Sequence, residues 1–188
     1  MNYISFTHCS ASKVVDKSLS VLDLNGHDNI DDISNEWISS VNKSAPVCPV
    51  KKLYNGGGFK KLSKNLGDKH FFVVSAGLGL LHSNDLVPSY ECTVSIGKPG
   101  SIVDRVKEKF DINKWWEIIN KSKFSRGLIN ENIERFDYIL ISLTSDYLKM
   151  VAEDLKLVSK NFFIFTGSKD LAIELGFEKN LMPYTEVF

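Results

Sequence analysis

Four short apolar runs constrain what this 188-residue chain can fold into. They are Tyr3-Ile4-Ser5-Phe6, His70-Phe71-Phe72-Val73-Val74, Tyr138-Ile139-Leu140-Ile141 and Phe162-Phe163-Ile164-Phe165. Each is rich in β-branched or aromatic residues and nearly continuous, the pattern of a strand covered on both faces. Helical patterns fill the intervals. Ile30, Ile33, Trp37, Ile38 and Val41 recur every three or four residues behind capping aspartates. Residues 59–66 read as a short helix stopped by Gly67, residues 102–110 and 112–119 as a helical pair, and Leu148, Val151, Leu155 and Val158 as a further stripe. Strands alternating with helices indicate a parallel sheet with right-handed crossovers. The expectation is an α/β three-layer sandwich around a four-stranded, mainly parallel sheet. One domain over residues 1–188 is expected, with a helical insertion at about 100–135 and no internal repeat.

Composition narrows the class. Hydrophobic residues make up 43% and charged residues 24%, an ordinary globular balance. No apolar run approaches the ~18 residues that span a bilayer, and the N-terminal residues lack the basic and apolar regions of a signal peptide. Cys9, Cys48 and Cys92 are odd in number and widely spaced, which reads as reduced thiols in a cytoplasmic protein with neither a disulfide framework nor a zinc site. No metal or cofactor is expected, and no membrane. Net charge is zero, so no global field draws the chain to nucleic acid. The distribution is uneven all the same. Asp23, Asp28, Asp31, Asp32 and Glu36 form an acidic stretch, followed by Lys43, Lys51, Lys52, Lys60, Lys61, Lys64 and Lys69 against one Asp68. That stretch is either a phosphate-tracking stripe or a solvated helix face.

The residues after each run carry the chemistry. Thr7-His8-Cys9-Ser10-Ala11-Ser12-Lys13, the segment from Ser75 to Asp85, Ser142-Leu143-Thr144-Ser145-Asp146-Tyr147 and Thr166-Gly167-Ser168-Lys169-Asp170 are rich in small hydroxyl or glycine residues. In open α/β sheets ligands bind outside the carboxyl ends of the strands. Small residues there admit backbone N–H groups to a ligand, although any single hydroxyl also serves as a helix cap. None of the four segments is a nucleotide signature. Ser10-Ala11-Ser12-Lys13 lacks the glycines of a P-loop, and Gly77-Leu78-Gly79 lacks the third glycine of a dinucleotide fingerprint. ATPase and Rossmann dehydrogenase readings are excluded on that ground.

Three segments occur in an order met elsewhere: Cys9-Ser10-Ala11-Ser12-Lys13, Ala45-Pro46 with Leu53-Tyr54-Asn55-Gly56-Gly57-Gly58-Phe59, and Val74-Ser75-Ala76-Gly77-Leu78-Gly79-Leu80-Leu81 through Pro88-Ser89-Tyr90-Glu91. They resemble a bacterial and phage domain family with a CS-x-x-K, A-P, L-Y-x-G-x-x-F, S-A-x-x-G-L-L, P-Y-D layout. That family is distantly similar to the peroxide-stress protein YaaA, to archaeosine transglycosylase domains, and to the uracil-DNA-glycosylase-like fold. The likeness covers residues 5–95, and the chain departs from it at Glu91, where the layout has Asp, and at Ser89, which separates Pro88 from Tyr90. It implies a site that handles a nucleobase, and a DNA glycosylase removing a modified base in anti-phage defence. A non-catalytic nucleic-acid-binding module and an enzyme acting on free nucleotides or nucleosides stand as alternatives.

Hydrolysis of an N-glycosidic bond passes through an oxocarbenium-like sugar, which a carboxylate stabilises. Asp85 is the first candidate, beside His82 as donor to the leaving base, with Glu91 second and Asp146 also near a strand end. Asn84 and Gly77 are candidate base contacts, and Tyr90 or Tyr54 a stacking platform for an extruded base. Ser10, Ser12, Lys13, Ser145 and Ser168 are candidates for phosphate contact. In Trp115-Trp116, neighbours on a helix point about 100° apart, so one ring is expected in the core. The other is expected over a satellite cluster or free to wedge into a nucleic-acid stack.

Overall fold

In a computed structural model of the chain, residues 2–66 and 71–182 are described. β1 (Tyr3–His8) is followed by the two-residue strand β2 (Leu19–Ser20), α1 (Ile30–Lys43), β3 (Cys48–Pro49), α2 (Val50–Leu53) and α3 (Gly57–Leu66). β4 (Phe71–Ser75) turns into β5 (Gly79–His82), then β6 (Leu86–Val87) and β7 (Tyr90–Glu91). A long connection carrying α4 (Ile112–Ile119) leads to β8 (Tyr138–Ser142), α5 (Ser145–Met150), α6 (Ala152–Lys156), β9 (Phe162–Phe165) and α7 (Lys169–Glu174).

The central sheet has the order β5-β4-β1-β8-β9. Four strands are parallel, with Phe6 of β1 level with Phe72 of β4 and Ile141 of β8. Ile4 and Phe6 are buried, and the Phe6 ring stacks on Phe72 at 5.2 Å. The four apolar runs are these strands, except that His70 lies outside the described residues, as does Gly67, the expected stop of the helix at residues 59–66.

The sheet has five strands where four were expected. The fifth is β5, antiparallel to β4, with Gly79 opposite Ser75 and His82 opposite Phe72. The sequence 75–82 reads as one glycine-rich strand exit, but it is a tight reversal. Ser75 Oγ accepts from the Gly77 and Leu78 amides at 3.3 and 2.9 Å, and Gly79 sits at φ +80°, where a Cβ is strained. The outer edge of β5 is closed by the long connection: Leu80 N–H donates to Asn120 Oδ1 at 2.8 Å, and Leu80 O accepts from Arg126 N at 2.7 Å. A covered edge cannot template pairing with another chain.

α1 starts at Asn29, whose side chain caps the Asp32 amide at 2.9 Å. Its inner face holds Ile30, Ile33, Trp37 and Val41 of the expected stripe, with Ile38 half-buried at its edge. Residues 102–110 do not form the expected helix. Apart from a 3-10 turn at Val103–Arg105, their main chain bonds to residues 27 and 28: His27 N to Arg105 O at 3.0 Å, Lys107 N to His27 O at 3.1 Å and Glu108 N to Asp28 O at 3.0 Å. The stripe at 148–158 is two short helices meeting at Val151.

Trp115 and Trp116 are both fully buried, so neither ring is free to wedge into a nucleic-acid stack. α4 is packed between two layers. Trp115 Nε1 donates to Ala76 O at 2.8 Å on the sheet side, and Trp116 Nε1 donates to Asp154 Oδ2 at 3.0 Å on α6. Asp154 also accepts from the Ile129 and Asn130 amides at 2.7 and 3.1 Å. Burial pushes its carboxyl up, against these donors, which lower it. Such a buried acceptor is tolerated because its lone pairs are filled. Among the described residues no helix is long and apolar enough to cross a membrane.

Candidate functional site

A crevice of about 800 Å³ opens at the carboxyl ends of β1 and β8. The segment Thr7–Ser12 leaving β1 forms its floor, with Ser142 at the end of β8 and Tyr147 on α5 beside it. One wall is the start of α3, through Gly56, Gly58 and Phe59; the other is the segment from Glu91 to Pro99. Asn55 N–H donates to Ser12 O at 2.9 Å, and Val14 N–H to Leu53 O at 2.9 Å, so the floor loop and the α3 wall are tied together. Gly56 makes that approach possible. A Cβ there would lie 2.4 Å from Ser10 Oγ.

The floor is polar and largely neutral. Burial lowers the pKa of His8, outweighing the backbone of Ser142, which raises it; the ring is therefore uncharged at neutral pH. Its Nδ1 is buried without a hydrogen-bond partner, and the ring lies 5.3 Å from that of Tyr147. Cys9 Sγ is 3.1 Å from Tyr147 Oη. Beneath these groups, Tyr90 Oη lies 2.9 Å from Tyr54 Oη and 2.6 Å from Ser75 Oγ. Burial, with the neighbouring Cys9 thiol, pushes all three tyrosines well above the usual phenol range, so they remain hydroxyls.

Charge enters at the rim. Glu91 pairs with Lys17 and accepts from Ser20 Oγ at 3.1 Å. The hydrogen bond from Lys17 is the main reason its carboxyl lies below the usual range, so Glu91 is ionised at neutral pH. Its side chain is 21% exposed, enough to meet a ligand entering the crevice.

The expected site residues separate into three groups. Glu91, Ser10 and Ser12 line the crevice. Tyr54, Tyr90, Gly77 and Lys13 lie beneath or behind it. The two tyrosines are 2% and 0% exposed and face each other, so neither offers a free stacking face to a base. Gly77 is a packing glycine: a Cβ would meet Cys92 at 2.9 Å, and its carbonyl accepts from Trp37 Nε1 at 2.7 Å. Lys13 Nζ lies 4.3 Å from the Tyr90 ring and donates to Ser10 O at 3.2 Å, with its pKa lowered chiefly by burial. Ser145 begins α5 and Ser168 precedes α7, and neither lines the crevice.

The third group lies at the other end of the sheet. Because β5 runs back along β4, His82 is level with Phe72, and Asn84 and Asp85 follow beyond it. Asp85 accepts from the His82 amide at 2.8 Å and is bound by the Arg126 guanidinium, whose Nε lies 3.0 Å from Oδ2. Val50 N–H donates to Asp85 O at 2.9 Å. Asp85, His82 and Asn84 therefore do not join Glu91, and Asp85 clasps the long connection to β5. Asp146 accepts from Ser95 Oγ at 2.6 Å, behind the Glu91 wall.

Sequence reasoning passed over His8, Cys9, Phe59 and Tyr147 as site residues. His8 and Cys9 had a legible signal, since they directly end the first strand. Phe59 closes the L-Y-x-G-x-x-F segment, whereas Tyr147 carried no signal beyond membership of a helix whose first turn faces the strand ends. Among the described residues no group of three or more His, Cys, Asp or Glu side chains could hold a metal ion. No protein-family model, curated protein or solved structure matches this chain significantly.

Proposed function

We propose that the crevice takes a nucleobase with its sugar, and that the chain is a DNA glycosylase hydrolysing the N-glycosidic bond of a modified base in a uracil-DNA-glycosylase-like fold. The observation that carries this reading is an ionised carboxylate, Glu91, held by Lys17 and Ser20 at the edge of a crevice with neutral polar and aromatic surroundings. A fixed negative charge favours the positive sugar that develops as the C1′–N bond breaks. The same carboxylate accepts a proton from the water whose oxygen bonds to C1′. The base departs as an anion, which a ring N–H of neutral His8 on the floor can stabilise by a hydrogen bond before the base nitrogen takes a proton from solvent. Phe59 and Tyr147 offer apolar ring surface to a flat base, and the Ser10 and Ser12 hydroxyls offer donors to a phosphate.

The test is incubation with unmodified, uracil-containing and hydroxymethylcytosine-containing DNA, followed by alkali to reveal abasic sites. Strand breaks that disappear in Glu91→Gln support the reading; no abasic product from any substrate overturns it. Binding that survives Glu91→Gln without any product favours the non-catalytic module. A second reading, hydrolysis of a free nucleotide or nucleoside, draws on the zero net charge of the chain. It predicts release of base from monomers in the absence of DNA.

A further inference from the structure

From Trp37 to Leu66 the chain contains no aspartate or glutamate, and its charged residues are six lysines. Three of them, Lys60, Lys61 and Lys64, lie on the exposed side of α3. The opposite side is anchored: Phe59 is buried, with its ring 5.0 Å from Tyr54 and 6.0 Å from Phe71, and Leu62 and Leu66 are half-buried. The three ammonium groups therefore project from a helix fixed in place. None of the three forms an ion pair with a described residue. Other lysines of the surface do: Lys17 with Glu91, Lys107 with Asp28, Lys114 with Asp31 and Lys156 with Glu153. The same helix contributes Gly58 and Phe59 to the crevice wall, so its lysine charge, unpaired among the described residues, begins at the mouth. Across the mouth stands Lys98, exposed and likewise without an ion pair among the described residues.

We infer that the outer face of α3, through Lys60, Lys61 and Lys64, is the surface that holds a DNA phosphodiester backbone and leads one nucleotide into the crevice. The inference rests on the crevice being a nucleobase site, and adds which surface of the chain holds the polymer that carries the nucleotide. Exposed lysines on a fixed face neutralise phosphates and release counterions, which makes affinity fall steeply with salt. Zero net charge is no obstacle, because the field that matters is local and screened within about 10 Å at 0.1 M salt.

The test is fluorescence anisotropy of the full chain with a labelled 20-nucleotide DNA, single-stranded and duplex, between 50 and 300 mM NaCl. The expected result is a log–log salt slope that falls by about 2 to 3 in Lys60→Gln/Lys61→Gln/Lys64→Gln, at about 0.7 to 0.9 per lost phosphate contact. Affinity at 100 mM salt should drop on the order of 100-fold. Glutamine keeps helix propensity close to that of lysine, and circular dichroism checks the fold. A control of equal charge change, Lys107→Gln/Lys109→Gln/Lys179→Gln, should leave the slope unchanged. No DNA binding at 50 mM salt overturns the inference, as does a slope unaltered by the α3 substitutions or altered equally by the control. Equal binding to phosphatidylserine vesicles through the same three lysines also overturns it, in favour of a membrane surface. Failure of the glycosylase reading is distinguishable: the slope then depends on α3 while no DNA yields abasic sites.

Discussion

The two ends of the central sheet carry similar residues and differ in what surrounds them. At the carboxyl ends of β1 and β8, Glu91 stands at an open crevice with one lysine and one serine as partners. At the opposite end, Asp85 has its oxygens taken by the His82 amide and the Arg126 guanidinium. In one place a carboxylate has capacity left for a ligand. In the other it closes a loop. The difference teaches that a carboxylate, an amide and an imidazole close in sequence to a strand end say little until the direction of the next strand is known.

The sharpest way to break this comparison is to remove each carboxylate charge in turn. Glu91→Gln is expected to lower base excision by roughly 10²- to 10³-fold, the range for losing one fixed stabiliser of developing charge. Asp85→Asn should leave excision within about 2-fold in the same abasic-site assay. The reverse result would return the chemistry to the Asp85 end.

A second test works on the crevice wall. Gly56→Ala puts a methyl group against Ser10 Oγ and Cβ, so the Ser10 side chain and the floor loop must shift into the crevice or away from α3. Overpacking of this kind costs about 1–3 kcal/mol. Substrate KM should rise on the order of 10-fold with the fold retained, whereas Gly26→Ala, where a Cβ meets nothing within 4 Å, should change neither.

At the clasp, Asp85→Ala leaves the His82 N–H and Arg126 without their acceptor. Asp85 is only 12% exposed, so the loss should be about 1–3 kcal/mol in urea unfolding, with excision untouched. A stability loss accompanied by lost excision would show that the two ends are coupled.

The smallest effect concerns pH. The carboxyl of Glu91 lies below its unfolded value, chiefly through Lys17. Its contribution is therefore present above the unfolded value of about 4.3 and disappears as pH falls through the lower folded one. Melting curves of the wild type and Glu91→Gln should differ by a few tenths of a kcal/mol at pH 6, as for exposed ion pairs. The difference should close toward pH 3.

Much of the frame was legible beforehand. Continuous apolar runs mark strands buried on both faces, and the runs around Phe6, Phe72, Ile141 and Ile164 are the four parallel strands. The three-to-four spacing of Ile30, Ile33, Trp37 and Val41 marks α1, because burial of one helical face imposes that period. The region 102–110 has the same kind of spacing but pairs with residues 27 and 28, a partner remote in sequence. Tyr54 and Tyr90 looked like platforms because aromatics near a ligand site are common. Their burial follows from the end of α2 and β7 meeting at Ser75, the last residue of β4.

By itself the sequence determined where the strands lie and that four of them run parallel; it placed a ligand site along all four strand ends, whereas the crevice borders the residues after β1 and β8 and not those after β4 and β9. Those properties follow from local periodicity and from the rule that parallel strands present their carboxyl ends together. Only the tertiary structure decided which carboxylate stands there. Ser75 and Gly79 reverse the chain into β5, and a reversal of one strand carries His82, Asn84 and Asp85 the length of the sheet away from the crevice. Glu91 reaches it because β7 pairs with β2, which sets Glu91 level with Ser20. Pairing between segments some seventy residues apart is a long-range property, and no local pattern encodes it.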